Sequence, residues 1–216
     1  NRGKISRAAQ YSGCSITQRT LIMSHTFAKV IAHLFHPIFA PLISIYLLFQ
    51  LPTYINFKYT DGYFIYVYVL LFLNLVLAPL LISVFLKRKN YIQSLEMNDV
   101  NERSIPYLVS SIFYIFTYFL LLNIQFPLFY LMVFQWATIT VILLFALSLF
   151  KQKISAHMAA WGGICGMLIA VAWVLKMDTT SWLIVFVLIS GLVGFSRLKL
   201  NAHSIKEIAG GFAIGL

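Results

Sequence analysis

The chain has 216 residues, 61% of them hydrophobic and 10% charged, with a mean hydropathy of +0.86. A soluble domain carries about 25% charged residues, so this composition excludes an ordinary soluble globule. The formal net charge of +10 would suggest nucleic acid in a soluble protein. Here the cations stand between apolar stretches, which points to membrane lipids and anionic lipid headgroups or phosphate as partners, and to no nucleic acid.

Residues 1–26 read as a polar, basic tail with no cleavable signal pattern, and 27–216 as one transmembrane domain. Seven apolar segments follow, over residues 30–51, 63–86, 106–123, 127–150, 157–176, 181–195 and 203–216. Hydrocarbon is crossed by roughly 20 residues of helix, and in lipid every backbone amide must be satisfied internally. The runs are too long for barrel strands and lack alternation. The expected fold class is all-α, a polytopic helical bundle of six to seven spans. Pro37 and Pro41 should kink the first span, with neighbouring helices re-satisfying the freed carbonyls. The last segment is short for a crossing and reads as a re-entrant helix or a span cut off by the end of the sequence.

Most ionisable residues fall in the tail and in the connections at 87–105, 151–156 and 196–202, which alternation brings to one side. Of the 16 Lys and Arg, all but Lys58 and Lys176 belong to that side. The positive-inside rule places it in the cytoplasm, and the expected location is the inner membrane. Cys14 and Cys165 have no spacing that suggests a disulfide or a metal site. The 19 Phe and 12 Tyr read as packing and interfacial belts rather than a cofactor box. Gly162, Gly163 and Gly166 allow close helix approach.

Three polar clusters lie on the charged side, each where a helix begins: Asn98 to Pro106, Lys153 to His157, and Ser196 to Glu207. Helix N-termini offer unpaired N–H groups and a positive dipole end, which suit a phosphate. His203 and Glu207 are four apart and share a helix face. The carboxylate can fix the imidazole tautomer and leave the other nitrogen free as nucleophile or base. Arg197 brings a planar donor fork matched to phosphate oxygens. His157 and His203 can divide the work of nucleophile and general acid.

Ser196-Arg197, five residues, His203, three residues and Glu207 resembles the third motif of the type-2 phosphatidic acid phosphatase superfamily, in which Asp ends the pattern. Ile154-Ser155-Ala156-His157 resembles the second motif, Pro-Ser-Gly-His. Arg103 with Pro106 resembles a loosened first motif, whose Lys is replaced here by Glu96. The hydrophobic layout, including His36-Pro37, is similar to that of small multi-span Bacteroidetes-type members. The resemblance implies metal-independent hydrolysis of a lipid phosphomonoester or pyrophosphate, of phosphatidate or polyprenyl phosphate type, with no cofactor. It implies that His203 attacks phosphorus to form a phosphohistidine, that Glu207 orients it and that His157 protonates the leaving alcohol. Arg103, Ser155 and Arg197 would hold the phosphoryl oxygens.

Other readings stand beside this one. Ile154, Ala156 and Glu96 depart from the family pattern and motivate a non-catalytic membrane subunit or lipid-binding scaffold, with protein partners in a membrane complex. A transporter is suggested only by the number of spans. Arg197 and Lys199 could be cytoplasmic anchors, and Arg103 could belong to an ion-pair loop with Glu102 and Asp99. His157, His203 and Glu207 are suitable zinc ligand types, with no Cys or further His nearby. His33 and His36 read as packing or interface histidines.

Overall fold

A computed structural model describes residues 25–92 and 102–216. The tail cations Arg2, Lys4, Arg7 and Arg19, together with Cys14, Glu96 and Asp99, lie outside the described residues. Among those residues the regular structure is helical throughout, and six helices are long and apolar enough to cross a membrane: α1 His25–Gln50, α2 Asp61–Arg88, α3 Ser104–Asn123, α4 Leu128–Leu149, α5 Ala156–Val174 and α6 Thr180–Lys199. A shorter helix, α7, covers Ile205–Gly215. The chain is a multi-pass helical bundle, and its helix ends fall within a few residues of the apolar segments.

The helices stop by a shared device. The second residue past each of α2 to α6 has positive φ: Asn90, Gln125, Lys151, Lys176 and Asn201. A left-handed residue there closes a turn in which the next N–H reaches back to the last helical carbonyls. Ala202 N–H, for example, donates to the Arg197 carbonyl at 3.0 Å and Asn201 N–H to Leu198 at 2.9 Å. That turn folds the chain back after α6 and delivers His203 beside the helix it has just left.

Proline shapes α1 as the sequence leads one to expect. Pro37 has no N–H, and a 3₁₀ turn over Pro37–Phe39 redirects the Phe39 N–H to the His36 carbonyl at 3.1 Å. Carbonyls ahead of the break are then open to other donors. Two side chains one turn apart on α5 fill them. His157 Nε2–H donates to the Ala32 carbonyl at 3.2 Å, and Trp161 Nε1–H to the Phe35 carbonyl at 3.0 Å. In α2 a π-helical turn over Phe72–Leu77 precedes Pro79, an irregularity the apolar pattern does not announce.

α5 and α7 run parallel and cross at very short range. Glycines make this possible on both helices: Gly162 and Gly166 on α5, Gly211 and Gly215 on α7. A methyl group at Gly162 would run into the Phe212 carbonyl, at Gly166 into that of Leu216, and at Gly215 into that of Ala159. At Gly211 it would meet the Ser155 carbonyl at 2.5 Å. Small residues at such crossings let backbones approach and gain dispersion contacts, the main source of helix association in lipid. The core beside the crossing is aromatic. Trp161 is buried, stacks on Phe186 at 5.9 Å and meets Phe35 edge-on at 5.2 Å.

The end of the bundle away from the charged loops is tied by a polar knot. Asn56 Nδ2 donates to the carbonyls of Leu48, Phe49 and Leu51 at 2.8, 3.0 and 2.7 Å, closing the C-terminus of α1. The Tyr130 hydroxyl donates to Asn56 Oδ1 at 2.8 Å and lies 2.9 Å from Thr53 Oγ1. Tyr130 is fully buried, so this network answers the need of every polar atom in it.

Candidate active site

The starts of α3, α5 and α7 and the end of α6 meet at the charged end of the bundle. Three sequence-distant clusters converge there. Arg103 precedes α3, and its Nη1 donates to the Ile154 carbonyl at 3.2 Å, just ahead of α5. Ser155 N–H donates to the Glu207 carbonyl at 3.2 Å, joining the entry of α5 to the first turn of α7. Arg197 sits in the last turn of α6. Arg103 and Arg197 are both buried, at 5% and 6% exposure.

His203 and Glu207 form the centre of the arrangement. Ser204 caps α7 by accepting the Glu207 N–H at 3.4 Å, which sets Glu207 in the first turn where a helix dipole favours a carboxylate. From there its Oε2 reaches back to His203 Nδ1 at 2.7 Å. Burial pushes the His203 pKa down, the bond to Glu207 pulls it up, and the Arg103 and Arg197 charges lower it again; it rests at about 4. Burial alone would raise Glu207, but the bonds with His203 and Ser204 and the charges of His203 and Lys153 outweigh it and hold the carboxyl below its usual value. At neutral pH the pair is therefore a neutral imidazole, Nδ1–H donating to a carboxylate, with Nε2 bearing a lone pair.

His157 is fixed differently. Its Nε2–H is committed to the Ala32 carbonyl, so Nδ1 is the nitrogen left for chemistry. Ser155 caps the start of α5 without using its side chain, and its Oγ is buried with no hydrogen-bond partner among the described residues. Such a hydroxyl is costly to bury unless a ligand answers it.

Arg103, His157, Arg197 and His203 line a cavity of about 740 Å³, with Ser155 and Glu207 just behind its wall, within the roughly 300–1,000 Å³ usual for ligand sites. Its polar end has Arg103, Tyr107, His157, Arg197 and His203; its body runs between apolar side chains such as Ile45, Phe134 and Met167. Four of the six prolines, Pro37, Pro41, Pro79 and Pro106, line it. Among the described residues the wall has two guanidiniums and no Asp or Glu side chain. Its field favours an anion.

All six candidate residues, Arg103, Ser155, His157, Arg197, His203 and Glu207, thus come together at one end of the bundle. Two further residues join them that the sequence did not single out for this place. Tyr107 lies against the Arg103 guanidinium. His36 was expected to be a packing or interface histidine beside His33, and the structure separates the two. His33 is exposed and bonds the Lys29 carbonyl, whereas His36 lines the cavity with its ring edge-on to His157 at 5.4 Å. The only signal in the sequence was the His36-Pro37 step at the break. No group of three His, Cys, Asp or Glu close enough to hold a metal occurs among the described residues. Comparison with family models, curated proteins and solved structures gives no match.

Proposed function

We propose that this chain is a lipid phosphate phosphatase of the type-2 phosphatidic acid phosphatase kind. The substrate is a phosphomonoester or pyrophosphate on a lipid of phosphatidate or polyprenyl phosphate type. The observation that carries the reading is the bond at 2.7 Å between buried His203 and half-buried Glu207, with His203 on a cavity whose wall has two guanidiniums. An amphiphilic chamber with its cations at one end suits a ligand with an anionic head and an apolar tail.

In this reading His203 Nε2 attacks phosphorus, the P–N bond forms and the P–O bond to the lipid breaks. His157, protonated on Nδ1, gives that proton to the leaving oxygen. Arg103, Arg197 and the Ser155 hydroxyl hold the equatorial oxygens as charge shifts onto the leaving group. A water then gives its proton back to His157 and attacks the phosphohistidine, releasing phosphate and restoring Nε2. Glu207 keeps the imidazole in the Nδ1–H tautomer throughout and stabilises the charge it gains. In this reading the charged end faces the cytoplasm and the membrane is the inner membrane, an orientation that the excess of Lys and Arg in its loops supports.

The test is phosphate release from lipid phosphates by the purified protein in detergent with a chelator present. Wild type should turn over, and His203→Ala should lose activity by at least about a thousandfold. Full activity in that variant would falsify the mechanism. A non-catalytic lipid-binding scaffold is the second reading, favoured by Arg103 spending an N–H on the Ile154 carbonyl. It predicts no turnover on any lipid phosphate and no phosphohistidine.

A further inference from the structure

His36 stands at the break in α1 and lines the cavity with Arg103, His157, Arg197 and His203. It is fixed from two sides. Nδ1 accepts the Ile38 N–H at 3.3 Å and caps the 3₁₀ turn. The ring meets that of His157 edge to face, with planes at 74°. A neutral imidazole protonates one nitrogen only. With Nδ1 accepting, the proton sits on Nε2, and the ring has a single N–H donor to offer. It offers that donor in a chamber whose wall, among the described residues, has two guanidiniums and no Asp or Glu side chain, where the acceptor best matched to the field is an anion.

We propose that His36 is a further substrate-contacting residue, whose Nε2–H donates to a phosphoryl oxygen held in the cavity by Arg103 and Arg197. This rests on the phosphoryl-transfer reading above and adds to it a donor from a span that none of the three loop clusters includes. A bond from a neutral N–H to a phosphoryl oxygen is charge-assisted and stronger than one between neutral groups. The contact also gives the α1 break two tasks at once. Its Ala32 carbonyl holds His157, and the side chain two residues on from Leu34 grips the anion.

The experiment measures binding of inorganic phosphate to the purified full chain in detergent, by phosphorus NMR or calorimetry, in wild type, His36→Asn and His36→Gln. Asn puts an amide oxygen where Nδ1 sits and keeps the turn capped, but has nothing at the Nε2 position. Gln reaches that position with an amide N–H. Phosphate affinity should fall about tenfold in His36→Asn, with an unchanged melting temperature, and return most of the way in His36→Gln. Equal affinity in wild type and His36→Asn overturns the role of His36 and leaves the His203 reading standing. No phosphate binding by the wild type overturns both. Equal weakening in the two variants, with a lowered melting temperature in each, makes His36 a scaffold residue and removes the contact.

Discussion

The backbones of Ser155 and Glu207 are hydrogen-bonded, amide to carbonyl, at 3.2 Å. Glu207 also bonds His203, and Ser155 starts the helix that bears His157, so this bond ties together the two elements that carry the histidines. It survives only because Gly211 has no Cβ to push the Ser155 carbonyl away. Bond and crossing form one mechanical unit.

Substitution in that unit should therefore act on assembly. Gly211→Ala places a methyl 2.5 Å from the Ser155 carbonyl, and overpacking of this sort costs about 1–3 kcal/mol. The melting temperature in detergent should drop, and phosphate release should drop with it. Gly191→Ala, whose Cβ would meet nothing within 4 Å, is the matched control and should change neither. Equal behaviour of the two variants would show that the crossing does not set the site.

Much of this was legible in the sequence, for identifiable reasons. Spans are fixed by hydrocarbon thickness, so apolar runs locate α1 to α6 closely. The break in α1 follows from Pro37, and the His203–Glu207 contact from their spacing of four. The π turn over Phe72–Leu77 was not read from the sequence, because Pro79 marks an irregularity one turn ahead of it without saying what form the irregularity takes. Nor was the place of His36. Its partners lie on α5, and which carbonyls and rings meet across two helices is decided by packing, which no single stretch of sequence encodes.

The His203–Glu207 pair has a pH signature. The unfolded chain protonates His203 near the ordinary value of 6.5, and the folded protein near 4. Between those values the unfolded state binds the extra proton, so stability is full above about pH 6.5 and declines as pH falls toward 4. Glu207, held low in the fold, acts in the same direction at still lower pH. Melting curves in detergent should show this decline, and it should be shallower in His203→Gln. With Nε2 unprotonated into mild acid, the acid limb of kcat/KM for phosphate release should lie below about pH 6. A limb centred at 6.5 or above contradicts the buried neutral imidazole.

Glu207→Gln tests orientation apart from charge. The amide oxygen can still accept from His203 Nδ1–H, so the geometry at 2.7 Å is retained while the negative charge is lost. We expect kcat to fall about a hundredfold with KM little changed, and the melting temperature to stay close to that of wild type. A change in KM alone would assign Glu207 to binding.

Tyr130→Phe should separate stability from chemistry. It removes the hydroxyl that donates to Asn56 Oδ1 at 2.8 Å and leaves a half-buried acceptor unanswered, at a cost of about 1 kcal/mol. The knot lies at the far end of the bundle from His203. Thermal stability should fall, while phosphate release at a temperature where the fold persists should match wild type.

The bare faces of α5 and α7 have a consequence for any saturation screen of this chain. Positions 162 and 211 bear no reactive atom and do not line the cavity, yet a single added methyl at each meets main-chain carbonyl. Scored by loss of function, they would rank with His203 and Arg197, and a map of intolerance alone would draw the pocket wider than its wall.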